Sequence, residues 1–184
     1  MSIEASYRRV TPEEFSRLQG DPKAAESFFG INLEDLDNPE KLLAQLKEQE
    51  SNDRYLSIST DWHALHFLLT GDGELKPHPL PPPPLGNIVH GGVETQWKCT
   101  YGHVRSLTPD EVRAAADALS RISVDELRSR FSVASFNNAQ IYPHGRRAGW
   151  TDKEARSVFA IYPRVVEFFQ AAARDRDMIL LSSD

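Results

Sequence analysis

VETQWKCTYGHVRSLTPDEV, residues 93 to 112, holds the two local signals on which the fold turns. Its first part is rich in Val, Thr, Trp and Tyr, side chains that suit a pleated, half-buried surface, and it reads as a strand over 93–104. Its end, Thr108-Pro109-Asp110-Glu111, reads as a helix start. In such a capping box the threonine hydroxyl accepts from the N3 backbone N–H, and the glutamate reaches back to the cap's own N–H. Proline at the first helical position gives up an N–H that would have no helical partner there.

The same punctuation recurs at Thr11-Pro-Glu-Glu14, Ser123-Val-Asp-Glu126 and Thr151-Asp-Lys-Glu154. Together the four predict helices over 12–19, 109–121, 124–131 and 152–174. Pro163 lies inside the last of these and predicts a kink or a split. The likeness of RRVTPEEF to VRSLTPDEV reflects shared capping chemistry rather than an internal duplication. Further helices are expected near 22–29, ending at Gly30, near 39–49, and after Thr60. Alternation of Ile3, Ala5 and Tyr7 with Glu4, Ser6 and Arg8 predicts a strand over 3–10. RYLSIS (54–59) and MILLSS (178–183) read as two more, the second of them buried. These strands do not alternate with helices as βαβ units. The expected architecture is a single compact α+β domain over 1–184, a small mixed or antiparallel sheet packed with six to seven helices.

Composition excludes several classes of function. The 184-residue chain is 40% hydrophobic and 26% charged, which is globular, and its length suits one domain with a real core. A net charge of −6 with interspersed bases argues against nucleic acid; Arg8-Arg9 and Arg146-Arg147 are the local basic spots. One cysteine, Cys99, cannot form an internal disulfide. The N-terminus lacks the pattern of a signal peptide, and no apolar run approaches the roughly 18 residues that span a bilayer. A soluble cytoplasmic protein, without membrane or nucleic-acid partners, is the expectation.

GDGELKPHPLPPPPLGNIVHGG (71–92) holds six of the twelve prolines. Proline disfavours helix and central strand, so the segment is expected as a Pro-rich loop insertion in the domain. Lys76-Pro77-His78-Pro79-Leu80-Pro81-Pro82 has the basic-x-x-Pro-x-x-Pro form that aromatic grooves read. The plainer reading is a rigid surface loop.

DWHALHFLLTG (61–71) places His63 and His66 three apart on an expected helix, close enough to share a metal ion. A helix pair supplies two ligands, whereas zinc wants at least three, and the H-E-x-x-H pattern is absent. No metal and no cofactor are therefore expected. Trp62, Ala64, Leu65, Leu68 and Leu69 form one apolar arc, which predicts His66 as a partly buried, hydrogen-bonded residue at its edge and His63 as exposed. HGGVETQWKCTYGHVRSL (90–107) sets His103 and Arg105 just ahead of a helix N-terminus, a place that suits an anion, although no phosphate-loop spacing is present. Cys99 has no base beside it along a strand and reads as a buried small hydrophobe.

Asp61-Trp62-His63-Ala64-Leu65-His66-Phe67-Leu68-Leu69-Thr70-Gly71 is similar to the signature of the YfbM-like family of bacterial proteins. So are Tyr101-Gly102 with Arg105-x-Leu107-Thr108-Pro109-x-Glu111-Val112, Ile141-Tyr142-Pro143, and Phe168-Phe169-x-Ala171-Ala172 leading into Met178-Ile179-Leu180. The resemblance runs from Ser2 to the last strand. Its motifs are specific together and weak singly, and the prolines of 79–84 depart from the pattern as a loop expansion. It implies a compact α+β fold in a bacterial cytosolic setting, with no established activity and no catalytic residue to carry over.

Three hypotheses in two classes remain, the least favoured of them a hydrolase that uses metal at His63 and His66. One is a non-enzymatic binding or interaction protein, with another protein as its partner. The alternative is a small-molecule-binding or hydrolytic enzyme with a pocket built by Trp62, His66, His90, Tyr101, His103 and Arg105. Convergence of these six in space would favour a small-molecule site; dispersal would leave the interaction protein.

Overall fold

The computed structural model describes residues 2–29, 40, 52–76, 78–145 and 148–184. The expected helix near 39–49, the end of the second helix at Gly30 and the Arg146-Arg147 pair lie outside them. Strand β1 (Ala5–Val10) is followed by helices α1 (Pro12–Gly20) and α2 (Pro22–Phe29), then by β2 (Tyr55–Ser59) and α3 (Trp62–Thr70). A hairpin of β3 (Val93–Cys99) and β4 (Gly102–Leu107) leads into α4 (Pro109–Ser120), α5 (Val124–Ser129) and α6 (Val133–Asn138). The long helix α7 (Ala155–Asp175) and strand β5 (Met178–Ser183) complete the chain. The strands form one five-stranded sheet in the order β2-β1-β5-β4-β3, with every neighbouring pair antiparallel. The fold is α+β, as its non-alternating elements predict.

β5 takes the centre because Met178-Ile179-Leu180-Leu181 is apolar at every position and so can be buried on both faces. Ile179 and Leu181 turn to the larger core with Tyr7, Ile58 and Leu107, under helices α3 to α7. Met178 and Leu180 turn to a smaller core with Val10, Leu18, Trp97 and Val104, under α1 and α2. At the end of β5, buried Arg9 donates from Nε to Asp177 (2.9 Å) and pairs through Nη2 with Asp175 (2.5 Å). This staple ties the first strand to the turn between α7 and β5.

The stretch expected as one strand over 93–104 is two. Thr100 and Tyr101 turn the chain, Gly102 opens β4 at φ 133°, and the register sets Cys99 opposite Gly102 and Lys98 opposite His103. Short runs on either side of a turn carry the same β-forming composition as one long run, so composition alone does not separate them.

The capping boxes at Thr11 and Thr108 form in full, and Ser123 accepts from Glu126 N–H at 3.1 Å. Thr151 does not cap α7: its hydroxyl meets the Glu154 carboxylate, and the helix begins after that turn. α6 carries no box. Its cap Ser132 accepts from Ser135 N–H, with no glutamate at the third position to announce it. Pro163 neither splits nor ends α7, which runs 21 residues through it. Val158, Phe159 and Tyr162 before the proline and Val165, Phe168 and Phe169 after it pack on one core, which outweighs the single hydrogen bond that proline removes.

The Pro-rich segment is only half a surface loop. Pro82 and Pro83 are exposed, but residues 85–87 form a 3-10 turn and Ile88 is fully buried. Tyr7 Oη donates to the Ile88 carbonyl at 2.8 Å. Gly86 is required there, because a Cβ would stand 1.9 Å from the Pro81 carbonyl oxygen. The back of the insertion is thus part of the main core and fixes where His90 stands.

Candidate functional site

Helix α3 supplies the inner wall. Seven of its nine residues are buried, and none is charged. A helix apolar nearly all round has no wet face. That is why His63, expected exposed, is 1% exposed. Tyr142 N–H donates to His63 Nδ1 at 3.0 Å, so Nε2 carries the proton and donates to the Gly73 carbonyl, also at 3.0 Å. His63 is a structural tie between α3 and two loops, and its ring stacks on Trp62.

His66 departs from expectation in the other direction. It is 0% exposed, yet no described residue hydrogen-bonds either ring nitrogen. Burial pushes its pKa down to about 4, with Asp72 pulling it up and His63 adding to the fall. Its ring meets that of His90 edge to face, centroids 4.7 Å apart. His90 Nε2 is likewise buried without a partner among the described residues. Burial, then His66, His63 and Arg105, hold His90 down at about 3. Both imidazoles are therefore neutral at neutral pH.

Trp62 closes the wall. Its indole Nε1 donates to the Ile3 carbonyl at 3.0 Å, its face stacks on Tyr142, and the rings of Trp62 and His90 meet edge to face at 5.5 Å. Arg105 reaches from β4 to hold the glycine turn in place. Its Nε donates to Gly91 O (2.9 Å), Nη2 to Gly92 O (2.7 Å) and Nη1 to Glu94 (2.9 Å). Glycine is needed at 92, where φ is +79° and a Cβ would stand 2.4 Å from Ser106 O.

These residues border one cleft of about 490 Å³. The sheet contributes Glu94, Cys99, His103, Arg105, Leu181 and Ser183, and the β3–β4 turn adds Tyr101 and Gly102. Ile3 and Trp62 border it, with Val89 and His90. Leu75, Lys76, His78 and Leu80, from the front of the Pro-rich segment, line it as well. Five of the six residues singled out in the sequence thus meet here: Trp62, His90, Tyr101, His103 and Arg105. The sixth, His66, lies behind the wall against His90. Cys99, expected buried, is half-buried and borders the cleft while packing on the smaller core. Lys76 and His78 were passed over as parts of a peptide-like motif. Their signal was charge, since a lysine and two histidines over 76–90 interrupt an otherwise apolar and proline-rich run.

Among the described residues no group of three or more His, Cys, Asp or Glu side chains is placed to hold a metal ion, and no helix is long and apolar enough to cross a membrane. A second groove of about 450 Å³ lies between α5 and the start of α7. Its Arg128 is already committed, lying 5.1 Å over the Phe159 ring and pairing with Asp125. Among the described residues no buried unpartnered polar atom lines it.

Fold and cleft define a small α+β protein with a mixed aromatic, imidazole and cationic pocket. By its sequence the chain belongs to the family described as "Domain of unknown function (DUF1877)", whose model matches residues 1–182. It is similar to the protein YfbM of Escherichia coli (strain K12), 30% identical over 115 residues that make up 60% of this chain and 64% of that protein. The chain thus aligns with a little under two thirds of that relative's length. A crystal structure of YfbM from Escherichia coli, titled as a protein of unknown function, has the same fold. Its TM-score is 0.59 at 23% identity, over 97% of this chain and 98% of that one.

Proposed function

We propose that this chain is a non-enzymatic binding protein whose ligand is a small organic anion with a flat apolar body. The observation that carries the reading is the meeting of Trp62, His90, Tyr101, His103 and Arg105 in one cleft of about 490 Å³. That volume falls in the range of sites for small molecules, roughly 300–1,000 Å³. Aromatic and aliphatic walls suit a planar body. The polar groups are mostly cationic or imidazole, Lys76, His78, His90, His103 and Arg105, against Glu94 as the carboxylate of the lining, in a chain whose net charge is −6. A local reversal of sign draws an anion to that place.

Binding is better supported than hydrolysis. Covalent or acid–base catalysis wants a nucleophile held against an oriented base. Here His90 Nε2 has no hydrogen-bond partner among the described residues, and the Arg105 guanidinium is tied to Gly91, Gly92 and Glu94. The test is residue-resolved NMR with benzoate, phenyl phosphate and neutral benzamide as probes. The expected result is saturable shifts at the Trp62 indole and at Tyr101, His103 and Arg105, weakened at least fivefold by Tyr101→Ala. Shifts at none of these positions with any probe would overturn the reading.

A further inference from the structure

His90 Nε2 at the cleft wall and both ring nitrogens of His66 behind it are buried with no partner among the described residues. Buried polar side-chain atoms are almost always hydrogen-bonded, so a pair of adjacent unsatisfied imidazoles needs a reason. The rings are locked together edge to face at 4.7 Å, and Trp62 meets His90 at 5.5 Å. The groups facing them are mostly neutral or positive. α3 brings His63, whose nitrogens are engaged by Gly73 and Tyr142. β4 brings Arg105 and His103, and Lys76 and His78 stand across the cleft. Of the carboxylates, Glu94 is tied to Arg105, and Asp72 acts on His66 from the loop after α3. Nothing among these groups neutralises a charge on His90.

Building on the small-molecule reading, we infer that the ligand's acid group seats at His90, with His66 behind it as a positioning residue, and that the anion enters together with one proton taken from solvent onto His90. The ligand is on this basis a carboxylate or a phosphate monoester, the two sources of an acid group that the same imidazole would recognise. The free protein holds His90 at about 3 and His66 at about 4, both neutral, chiefly because burial disfavours the charged ring. An anion at hydrogen-bond distance favours the imidazolium and lifts that pKa. One proton bound per anion makes affinity rise by up to about tenfold for each pH unit lowered, between the pKa of the complex and that of the free protein. His66 meets the His90 ring edge to face at 4.7 Å and supports that orientation, and it is itself held neutral by burial.

Protein labelled with nitrogen-15 in its histidine rings, titrated from pH 8 to 5.5 with and without benzoate, phenyl phosphate or benzamide, tests this. The expected result is a neutral His90 ring throughout in the free protein and an imidazolium pattern at pH 6 with benzoate or phenyl phosphate. The affinity of that anion should tighten at least fivefold from pH 7.5 to 5.5. His90→Gln should remove the tightening, whereas His78→Gln and His103→Gln, which probe the other cleft imidazoles, should keep most of it. His66→Leu should weaken the anion and lower the bound-state pKa of His90 in a folded protein. The inference is overturned if the anions shift the cleft resonances while His90 stays neutral, and the small-molecule reading then still stands; benzamide binding as tightly as benzoate would overturn the inference together with the anionic part of that reading. If none of the three probes moves the cleft resonances, both fail together.

Discussion

Two histidines one turn apart on α3 should respond to the same substitution with opposite signs. His63→Leu removes a ring that satisfies two partners, the Tyr142 N–H and the Gly73 carbonyl, each at 3.0 Å. Leaving a buried donor or acceptor unsatisfied costs about 1–3 kcal/mol. Gly73 is half-buried and recovers part of its loss from water, so the expected destabilisation is about 3 kcal/mol in total. His66→Leu removes two nitrogens that no described residue satisfies and fills a similar volume with apolar atoms. The same reasoning with the sign reversed gives a gain of about 1–2 kcal/mol at pH 7.5. The effect of pH follows from linkage. The His66 pKa falls from 6.5 in the unfolded chain to about 4 in the fold, so the unfolded state binds the extra proton and wild-type stability drops as pH falls through that window. At pH 5 this widens the advantage of His66→Leu by about 2 kcal/mol. Urea unfolding at pH 7.5 and 5.0, with unchanged m-values, measures all of these. A His66→Leu midpoint below that of the wild type, or a His63→Leu loss under about 1 kcal/mol, would refute the reasoning.

Two further substitutions test the frame around the cleft. Arg9→Met takes from Asp177, which is 4% exposed, its 2.9 Å partner and leaves it Arg54 at 4.0 Å, and should lower stability by about 3 kcal/mol in the same assay; a loss under about 1 kcal/mol would show that the staple is not a buried ion pair in solution. Gly86→Ala drives a Cβ against the Pro81 carbonyl and should lower stability by at least about 2 kcal/mol while shifting the Val89 and His90 resonances; an unmoved midpoint would mean that the Pro-rich segment yields without strain.

The fold was legible where a local chemical device had a sequence form. Thr11 and Thr108, each with proline next and glutamate at the third position, announced their helices, and both boxes are present. MILLSS announced a strand buried on both faces and is the centre of the sheet. Reading failed where the device had no fixed spelling. Ser132 caps α6 with a serine at its third position instead of a glutamate, and the turn at Thr100-Tyr101 has the composition of the strands it joins. Pro163 does not split its helix, a strong local signal overridden in that respect by tertiary packing on both sides of it. The Pro-rich segment shows the same override, because proline content speaks of backbone shape and says nothing of whether Ile88 is buried.

Of the candidate cleft, five lining residues were legible in the sequence and the role of each histidine was not. Trp62, His90, Tyr101, His103 and Arg105 share a cleft, and residue type alone picked them out. Assigning His63 to solvent and His66 to a hydrogen bond rested on one premise, that α3 has a wet side. The sequence already argued against it: from Trp62 to Thr70 no residue carries a fixed charge, and a surface helix of a chain that is 26% charged rarely lacks one altogether. Read that way, both histidines are inside, and each must find partners or go without. His63 finds two, because Gly73 and Tyr142 come to it from loops on either side. His66 faces His90 instead, and two neutral imidazoles in contact leave polar atoms over. A leucine at 66 would fold better, so the stability argument runs against the residue that is present. On the binding proposal that cost serves His90, whose ring meets His66 edge to face and whose Nε2 gains a partner when an anion arrives.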